Sequence, residues 1–174
     1  TDVAQVNSFL ALADVDPGTK NAIDLIAATA NRVEAYATIN TNTVPTLADY
    51  QTLGVLATTG TQNQASLLNS AVDSKAAVDV DTASELIALA NAVKVVQDAA
   101  DGAPVPTNAA LLAALQTLGI TGASNNNIAA IATAIAGAGT AGADTLTELD
   151  ALVDRVRDVD RDGRAAEAGH DGHD

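Results

Sequence analysis

The residues best suited to bind a ligand lie near the C-terminal end, where acidic residues alternate with others. The segment Asp158-Val159-Asp160-Arg161-Asp162-Gly163 has the Asp-x-Asp-x-Asp-Gly spacing that begins many calcium-binding loops. Alternate carboxylates can converge on one cation, and glycine at the sixth position permits a sharp turn. A complete loop of the EF-hand type ends in a bidentate Glu at position 12, which here is Gly169. We therefore predict a partial calcium site formed by Asp158, Asp160, Asp162 and Gly163.

A second group of potential metal ligands follows directly. The carboxylates of Glu167 and Asp171 lie two residues before and after Gly169, so neither occupies the twelfth position of the loop. Two imidazoles and two carboxylates fall within residues 170–174, and such donors suit zinc, copper or nickel. The weaker candidate ligands are Glu167, His170, Asp171 and His173. The alternative interpretation of the whole tail is a solvated acidic linker that binds no metal.

The rest of the chain lacks the residues that common enzyme sites require. Both histidines are in the tail and there is no cysteine, so neither a Ser-His-Asp triad nor a cysteine nucleophile can form in the body of the protein. The glycine-rich run at 137–142 is not followed by the Lys-Ser/Thr of a phosphate-binding loop. We predict a non-enzymatic protein.

Composition and charge exclude further classes of function. The 174 residues include 22 acidic and only 8 basic residues, for a net charge of −14. Binding to nucleic acid depends on Lys and Arg meeting phosphates, so no nucleic-acid partner is expected. The sequence has no apolar run of the length that a membrane-spanning helix needs, so no membrane span is expected.

The most informative feature of the sequence is an internal repeat with a period of about 63 residues. Four segments recur in the same order, at offsets of 61, 65, 63 and 63 residues. A fixed period of this kind is the signature of a repeat architecture. The matched pairs are Val44-Pro45-Thr46 with Val105-Pro106-Thr107, Gln51–Val55 with Gln116–Ile120, Asn63–Val72 with Asn126–Ile135, and Asp81–Leu86 with Asp144–Leu149. A partial third copy is indicated by Asn31-Arg32-Val33, which matches Asn91-Ala92-Val93 and Asp154-Arg155-Val156.

Each repeat has the pattern of three helices. Apolar residues at helical spacing predict a short helix near 47–53, a middle helix near 63–75 and a long helix near 82–99, with the second middle helix near 125–136. The glycine-rich run at 137–142 is predicted to be a loop. Phe9 and Tyr50 are predicted to be core residues.

The ends of these helices carry their own signals. Thr82 with Glu85, and Thr145 with Glu148, have the Thr-x-x-Glu spacing of a capping box, and Thr46 with Asp49 has a shorter version. Glycine accepts the left-handed conformation that commonly ends a helix. A glycine follows the short helix in both repeats, at positions 54 and 119.

These observations predict an all-α protein built as an array of tandem three-helix units of about 63 residues, with an acidic irregular C-terminal tail. Alanine dominates the predicted cores and buries little area, so a lone unit should gain stability from its neighbours. The predicted segments are a partial N-terminal repeat (1–43), two repeats (44–103 and 104–157) and the tail (158–174).

The repeat resembles those of a known class of protein. The segments Pro-Thr-Leu-Ala-Asp-Tyr-Gln-Thr-Leu-Gly (45–54), Ser-Leu-Leu-Asn-Ser-Ala-Val (66–72) and Val-Asp-Thr-Ala-Ser-Glu-Leu-Ile-Ala-Leu-Ala-Asn-Ala-Val (80–93) are similar to the tandem helical repeats of very large bacterial surface proteins, of the biofilm-associated and RTX-type adhesin-like kind. The Asp-x-Asp-x-Asp-Gly segment resembles the thrombospondin type 3-like calcium repeats often joined to them. It departs from that pattern after Gly163, where further Asp-x-Asp steps are expected.

This resemblance implies a structural or adhesive module of a secreted or cell-surface protein, with calcium bound by the tail. Its expected partners are neighbouring repeats, copies of the same chain, and a cell surface or matrix. The first alternative is a self-assembling subunit of an extracellular filament or surface layer, with contacts through apolar ends at 1–13 and 137–157. A second alternative is a ligand-binding bundle with a small apolar pocket.

Overall fold

The structure, a computed structural model, describes residues 3–11, 20–38, 43–102 and 104–168. This part of the chain is all-helical and contains no β-strand, so the predicted all-α class is confirmed. Two short 3₁₀-helices, Ala77–Asp79 and Thr140–Gly142, accompany the α-helices. The α-helices are α1 (Val3–Leu10), α2 (Lys20–Thr38), α3 (Leu47–Thr52), α4 (Gln62–Asp73), α5 (Ala83–Asp101), α6 (Asn108–Thr117), α7 (Ile128–Ala138) and α8 (Leu146–Ala168).

One order of elements occurs twice along the chain. A short helix, a middle helix, a 3₁₀-helix and a long helix follow one another in α3 to α5, and again in α6 to α8. The predicted short, middle and long helices all form, with ends that differ from the prediction by a few residues. The predicted glycine-rich loop is shorter than expected, because α7 continues to Ala138 and Thr140–Gly142 is a 3₁₀-helix.

The long helices begin with the capping boxes that the sequence predicts. In α5, the Glu85 carboxylate accepts from the Thr82 backbone N–H (3.0 Å), and the Thr82 hydroxyl accepts from the Glu85 N–H (3.3 Å). In α8, the same two bonds join Thr145 and Glu148 (3.1 and 3.3 Å). These bonds pair backbone donors that the first turn of a helix otherwise leaves unsatisfied.

The short helices end in matching turns. Gly54 and Gly119 have φ values of 70° and 86°, as expected for a left-handed stop. Just beyond them, the Val55 N–H donates to the Tyr50 carbonyl and the Ile120 N–H to the Leu115 carbonyl, both at 2.9 Å. Helix α6 has 10 residues and α3 has 6. The extra four residues make about one helical turn, which explains why the sequence offset changes from 61 to 65 without altering the turn.

The chain divides into two compact units, residues 1–94 and 95–174. In the first unit, α2 packs against α1, α3, α4 and the first 3₁₀-helix. Phe9 and Tyr50 are fully buried there, as predicted. The Tyr50 hydroxyl donates to Asn69 Oδ1 (2.7 Å), and Asn69 Nδ2 donates to the Pro45 carbonyl (2.8 Å). This buried chain of hydrogen bonds links α3, α4 and the segment before α3.

The second unit is built around α7, which packs against α6, the second 3₁₀-helix and α8. Ile131, Ile135 and Leu149 are fully buried in its core. The buried Gln97, on the last part of α5, donates from Nε2 to the Ala143 carbonyl (2.7 Å). The boundary between the two units falls inside α5, whereas the repeats predicted from the sequence meet at residues 103 and 104. Those repeat boundaries stay predictions.

The C-terminal part of α8 differs from the sequence prediction. An irregular tail was expected from residue 158, but the helix continues to Ala168. Arginine, alanine and glutamate are favourable in helices, and Asp–Arg pairs three residues apart add support. Such pairs join Asp154 to Arg157 and Asp158 to Arg161.

The start of α3 has an additional contact that the sequence did not reveal. The Asp49 carboxylate accepts from the Thr46 backbone N–H and hydroxyl, each at 2.8 Å, and also from the Arg32 guanidinium of α2. Burial, the largest single influence, raises the pKa of Asp49, but the bonds from Thr46 and Arg32 together outweigh it and leave the pKa below its usual value. The charged carboxylate therefore stabilises the folded state.

We expect Asp49→Asn to lower the free energy of unfolding by about 1 kcal/mol at neutral pH. Because the pKa of Asp49 is lower in the folded than in the unfolded state, its contribution is complete above the unfolded value of about 4 and is lost as the pH falls through the folded value. Urea unfolding at pH 7 and at pH 3 measures this difference. A loss that is as large at pH 3 as at pH 7 would contradict the assignment.

Candidate functional site

One candidate site is an open polar groove of about 670 Å³ in the second unit. One side is the segment that leads into α7, and the other is the exposed middle of α8. The side chains supply amide, hydroxyl and carboxylate acceptors, and amide and guanidinium donors. The lining residues are Ser124, Asn126, Asn127, Asp154, Arg157, Asp158 and Arg161.

Asn127 holds the loop side of the groove in place. Its Oδ1 accepts from the Ser124 backbone N–H (2.8 Å) and from the Ser124 hydroxyl (3.1 Å), while its Nδ2 donates to the Gly122 carbonyl (2.9 Å). Ser124 corresponds in the repeat to Thr61, which caps α4 through Gln64. The bonds between Asn127 and Ser124 hold the turn that precedes α7 and shape the groove, whereas no side-chain bond caps α7 at Asn127 itself.

Arg157 crosses from α8 to the loop at Gly122. Gly122 has φ +88°, and a Cβ at this position would lie 2.8 Å from Arg157 Cδ. The backbone conformation therefore favours glycine, and any larger side chain here would displace the end of Arg157. Arg157 Nη1 also donates to Asp154 Oδ1 (3.1 Å). The stem and the guanidinium of Arg157 thus both lie against the loop, and Nη1 also bonds to Asp154 on the helix.

The charges of the groove balance along α8. Asp154 pairs with Arg157, and Asp158 lies 3.7 Å from Arg161, with all four side chains more than half exposed. Exposed pairs of this kind contribute little to stability. One turn before them, burial and then the Asp154 carboxylate raise the pKa of Asp150. The groove can bind polar molecules through hydrogen bonds and charges of both signs.

Five of the eight predicted metal ligands lie in α8, and the other three fall outside the described residues. Asp158 faces the groove. Asp160, Asp162, Gly163 and Glu167 lie within α8, whereas His170, Asp171 and His173 fall outside the described residues. Among the residues that the structure describes, no three acidic or histidine residues are grouped so that they could hold a metal ion. The metal site stays a prediction.

The helical backbone also bears on how calcium would bind. Residues two apart in an α-helix lie on roughly opposite sides of its axis, whereas a calcium loop needs alternate residues to converge. The helical backbone over residues 158–163 therefore does not have the conformation of a calcium loop. Calcium binding of the predicted kind would require the end of α8 to unwind.

Sequence reasoning missed most of the groove. Only Asp158 was among the predicted site residues, and Arg157 and Gly122 were not singled out. One local signal was available, since Ser124 and Asn127 have the spacing of a cap. The contact between Arg157 and Gly122 joins positions 35 residues apart, so no local pattern reveals it.

The comparisons with known proteins do not indicate which class of protein this chain belongs to. No protein-family model, curated protein or solved structure matches this chain. In the part of the chain that the structure describes, the helices are too short or too polar for any of them to span a membrane.

Proposed function

We propose that this chain is a non-enzymatic structural repeat module of a secreted or cell-surface bacterial protein, in which helical units in series set length or present an adhesive surface. The observation that carries the proposal is the kind of residue that recurs. The residues shared by the two repeats cap helices, end helices or fill the core. Of the residues that line the polar groove, only Asn126 repeats an identical residue of the first repeat, Asn63. The shared positions include Thr46 and Thr107, Gly54 and Gly119, Glu85 and Glu148, and Leu68 and Ile131.

A structural array tolerates the addition of whole units, because each unit contacts only its neighbours. We therefore expect a chain in which residues 82–144 are duplicated in tandem to fold, since the junction of Asp144 with Thr82 restores the Asp-Thr step that precedes each long helix. Its helical circular dichroism signal per molecule should rise in proportion to the added length. Small-angle scattering should show a longer particle that is still monomeric.

The matched control duplicates residues 82–134, which ends inside α7 and breaks the period. This control should unfold at lower urea concentration than the in-register duplication. An in-register duplication that unfolds, or that is no more stable than the control, would contradict the repeat architecture and with it the proposed function.

Calcium binding by the end of α8 is part of the same proposal. Because alternate carboxylates converge only when the helix unwinds, we expect millimolar calcium to reduce the helical circular dichroism signal relative to chelator. Asp160→Asn should abolish this change. Asp150→Asn, an exposed acidic position earlier in the same helix, should leave it intact. An unchanged spectrum in calcium, or an equal response to magnesium, would exclude a specific calcium site.

A self-assembling subunit is the second candidate function. It is favoured by large apolar side chains that are exposed near the two ends of the described chain, at Val3 (77%) and Val159 (69%). Sedimentation velocity at rising protein concentration tests this candidate, which requires an increase in mass.

A further inference from the structure

In the first unit, other helices cover the second half of the long helix α2. Val33 and Tyr36, on this half, are buried, and α2 packs there against α3, α4 and the first 3₁₀-helix. Burial, and then the nearby carboxylate of Asp73 at the end of α4, raise the pKa of the Tyr36 phenol. Arg32 donates to Asp49 at the start of α3. A short helix and a middle helix that follow a long helix in sequence thus cover its second half.

The corresponding positions of the last long helix are uncovered. In the repeat, Val33 and Tyr36 correspond to Val93 and Val96 of α5, and these in turn to Val156 and Val159 of α8. Val93 and Val96 are fully buried, and their counterparts in α2 are also buried. Val156 is half-buried and Val159 is 69% exposed. Ala130, Arg155, Val156 and Val159 line a shallow, mostly apolar groove of about 180 Å³, which we call the α7–α8 face.

The middle helices α4 and α7 also differ in how much of their surface is buried. Helix α4 buries residues on two faces, including Leu67, Leu68 and Ala71. In α7 a single stripe is buried, formed by Ile128, Ile131 and Ile135. Ala130, which corresponds to the buried Leu67, is exposed. The α7–α8 face is therefore the surface that the preceding repeat buries.

A charged residue on this face indicates what covers it. Arg155 corresponds to Arg32, which pairs with Asp49 at the third position of α3. In the intermediate repeat both members of this pair are replaced together, by Ala92 and Ala110. The long helix thus has arginine at this position where the following short helix has aspartate at its third position, and it has alanine where that aspartate is replaced by alanine. Arg155 has no ion-pair partner among the described residues.

We infer that the α7–α8 face is a docking surface for a further helical repeat of the same kind, whose capped short helix carries an acidic residue at its third position and pairs with Arg155. This inference rests on the repeat architecture of the proposed function. The occupant is a segment with the character of residues 43–80, because that segment covers the corresponding face of α2.

An extended chain tests the inference. Residues 162–174 are replaced by residues 39–102, so that Arg161 takes the place of Thr38 and α8 is followed by a copy of α3, α4 and α5. Hydrogen exchange measured by mass spectrometry should slow about tenfold or more at residues 155–161 relative to the natural chain, because covered helices open less often. Arg155→Ala should lower the urea midpoint of the extended chain and leave that of the natural chain unchanged.

Arg157→Ala is the matched control, since it removes the same charge from α8 but faces Gly122 in the other groove. It should affect both chains equally. The inference is overturned if the extended chain gains the helicity of its added residues while residues 155–161 exchange as before, or if Arg155→Ala acts equally on both chains. It is also overturned if exchange in the natural chain slows with protein concentration, which would make a second copy the occupant. If the chain with residues 82–144 duplicated in tandem fails to fold, the result instead rejects the repeat architecture itself.

Discussion

Replacing Leu68 with alanine is expected to lower the free energy of unfolding of the first unit by about 2–5 kcal/mol. Leu68 has no exposed surface, and its neighbours in α4 include the buried Ala65 and Ala71. Because small side chains cannot move far enough to fill the space, most of the cavity should persist. Ile131→Ala, at the corresponding position of α7, should have a similar effect on the second unit.

Tyrosine fluorescence and circular dichroism together distinguish unfolding of the first unit from unfolding of the second. The chain has no tryptophan, and both tyrosines, Tyr36 and Tyr50, lie in the first unit. Tyrosine fluorescence therefore follows the first unit, while circular dichroism follows both. Leu68→Ala should shift the urea midpoint of the fluorescence signal. Val78→Ala, at a position that is 71% exposed, is the control and should change stability by less than about 0.5 kcal/mol. Equal losses for the two variants would contradict the assigned core.

Removal of the Tyr50 hydroxyl is expected to cost about 1–3 kcal/mol, because it leaves the buried Asn69 Oδ1 without its donor. Burial raises the pKa of Tyr50, so the hydroxyl stays protonated and able to donate. In the second repeat the corresponding residues are Leu115 and Ala132, so both polar groups are replaced together. The contributions of Tyr50 and Asn69 to stability are therefore expected to depend on each other.

A double-mutant cycle measures this coupling. Tyr50→Phe with Asn69→Ala should cost less than the sum of the single changes, by about 0.5–3 kcal/mol in urea unfolding followed by circular dichroism. Tyr36→Phe is the control, since the Tyr36 hydroxyl has no hydrogen-bond partner among the described residues, and it should be additive with Asn69→Ala. Strict additivity for Tyr50 and Asn69 would show that the bond contributes nothing to stability.

The sequence by itself determined where the two long helices α5 and α8 begin and where the short helices end. The capping boxes at Thr82 and Thr145, and the left-handed glycines at 54 and 119, lie where their spacing predicts. Each of these signals acts through atoms within about four residues, so its outcome depends little on the rest of the fold. The prediction that Phe9 and Tyr50 are core residues is also confirmed, because large aromatic side chains gain most from burial.

Only the tertiary structure decided which helix faces are covered. Val93 with Val96, and Val156 with Val159, have the same spacing on corresponding helices, yet the first pair is buried and Val159 is exposed. Periodicity shows that a face can be buried, but burial requires another element to pack on it. The polar groove likewise depends on Arg157 reaching Gly122, a contact that forms because α7 packs on α8.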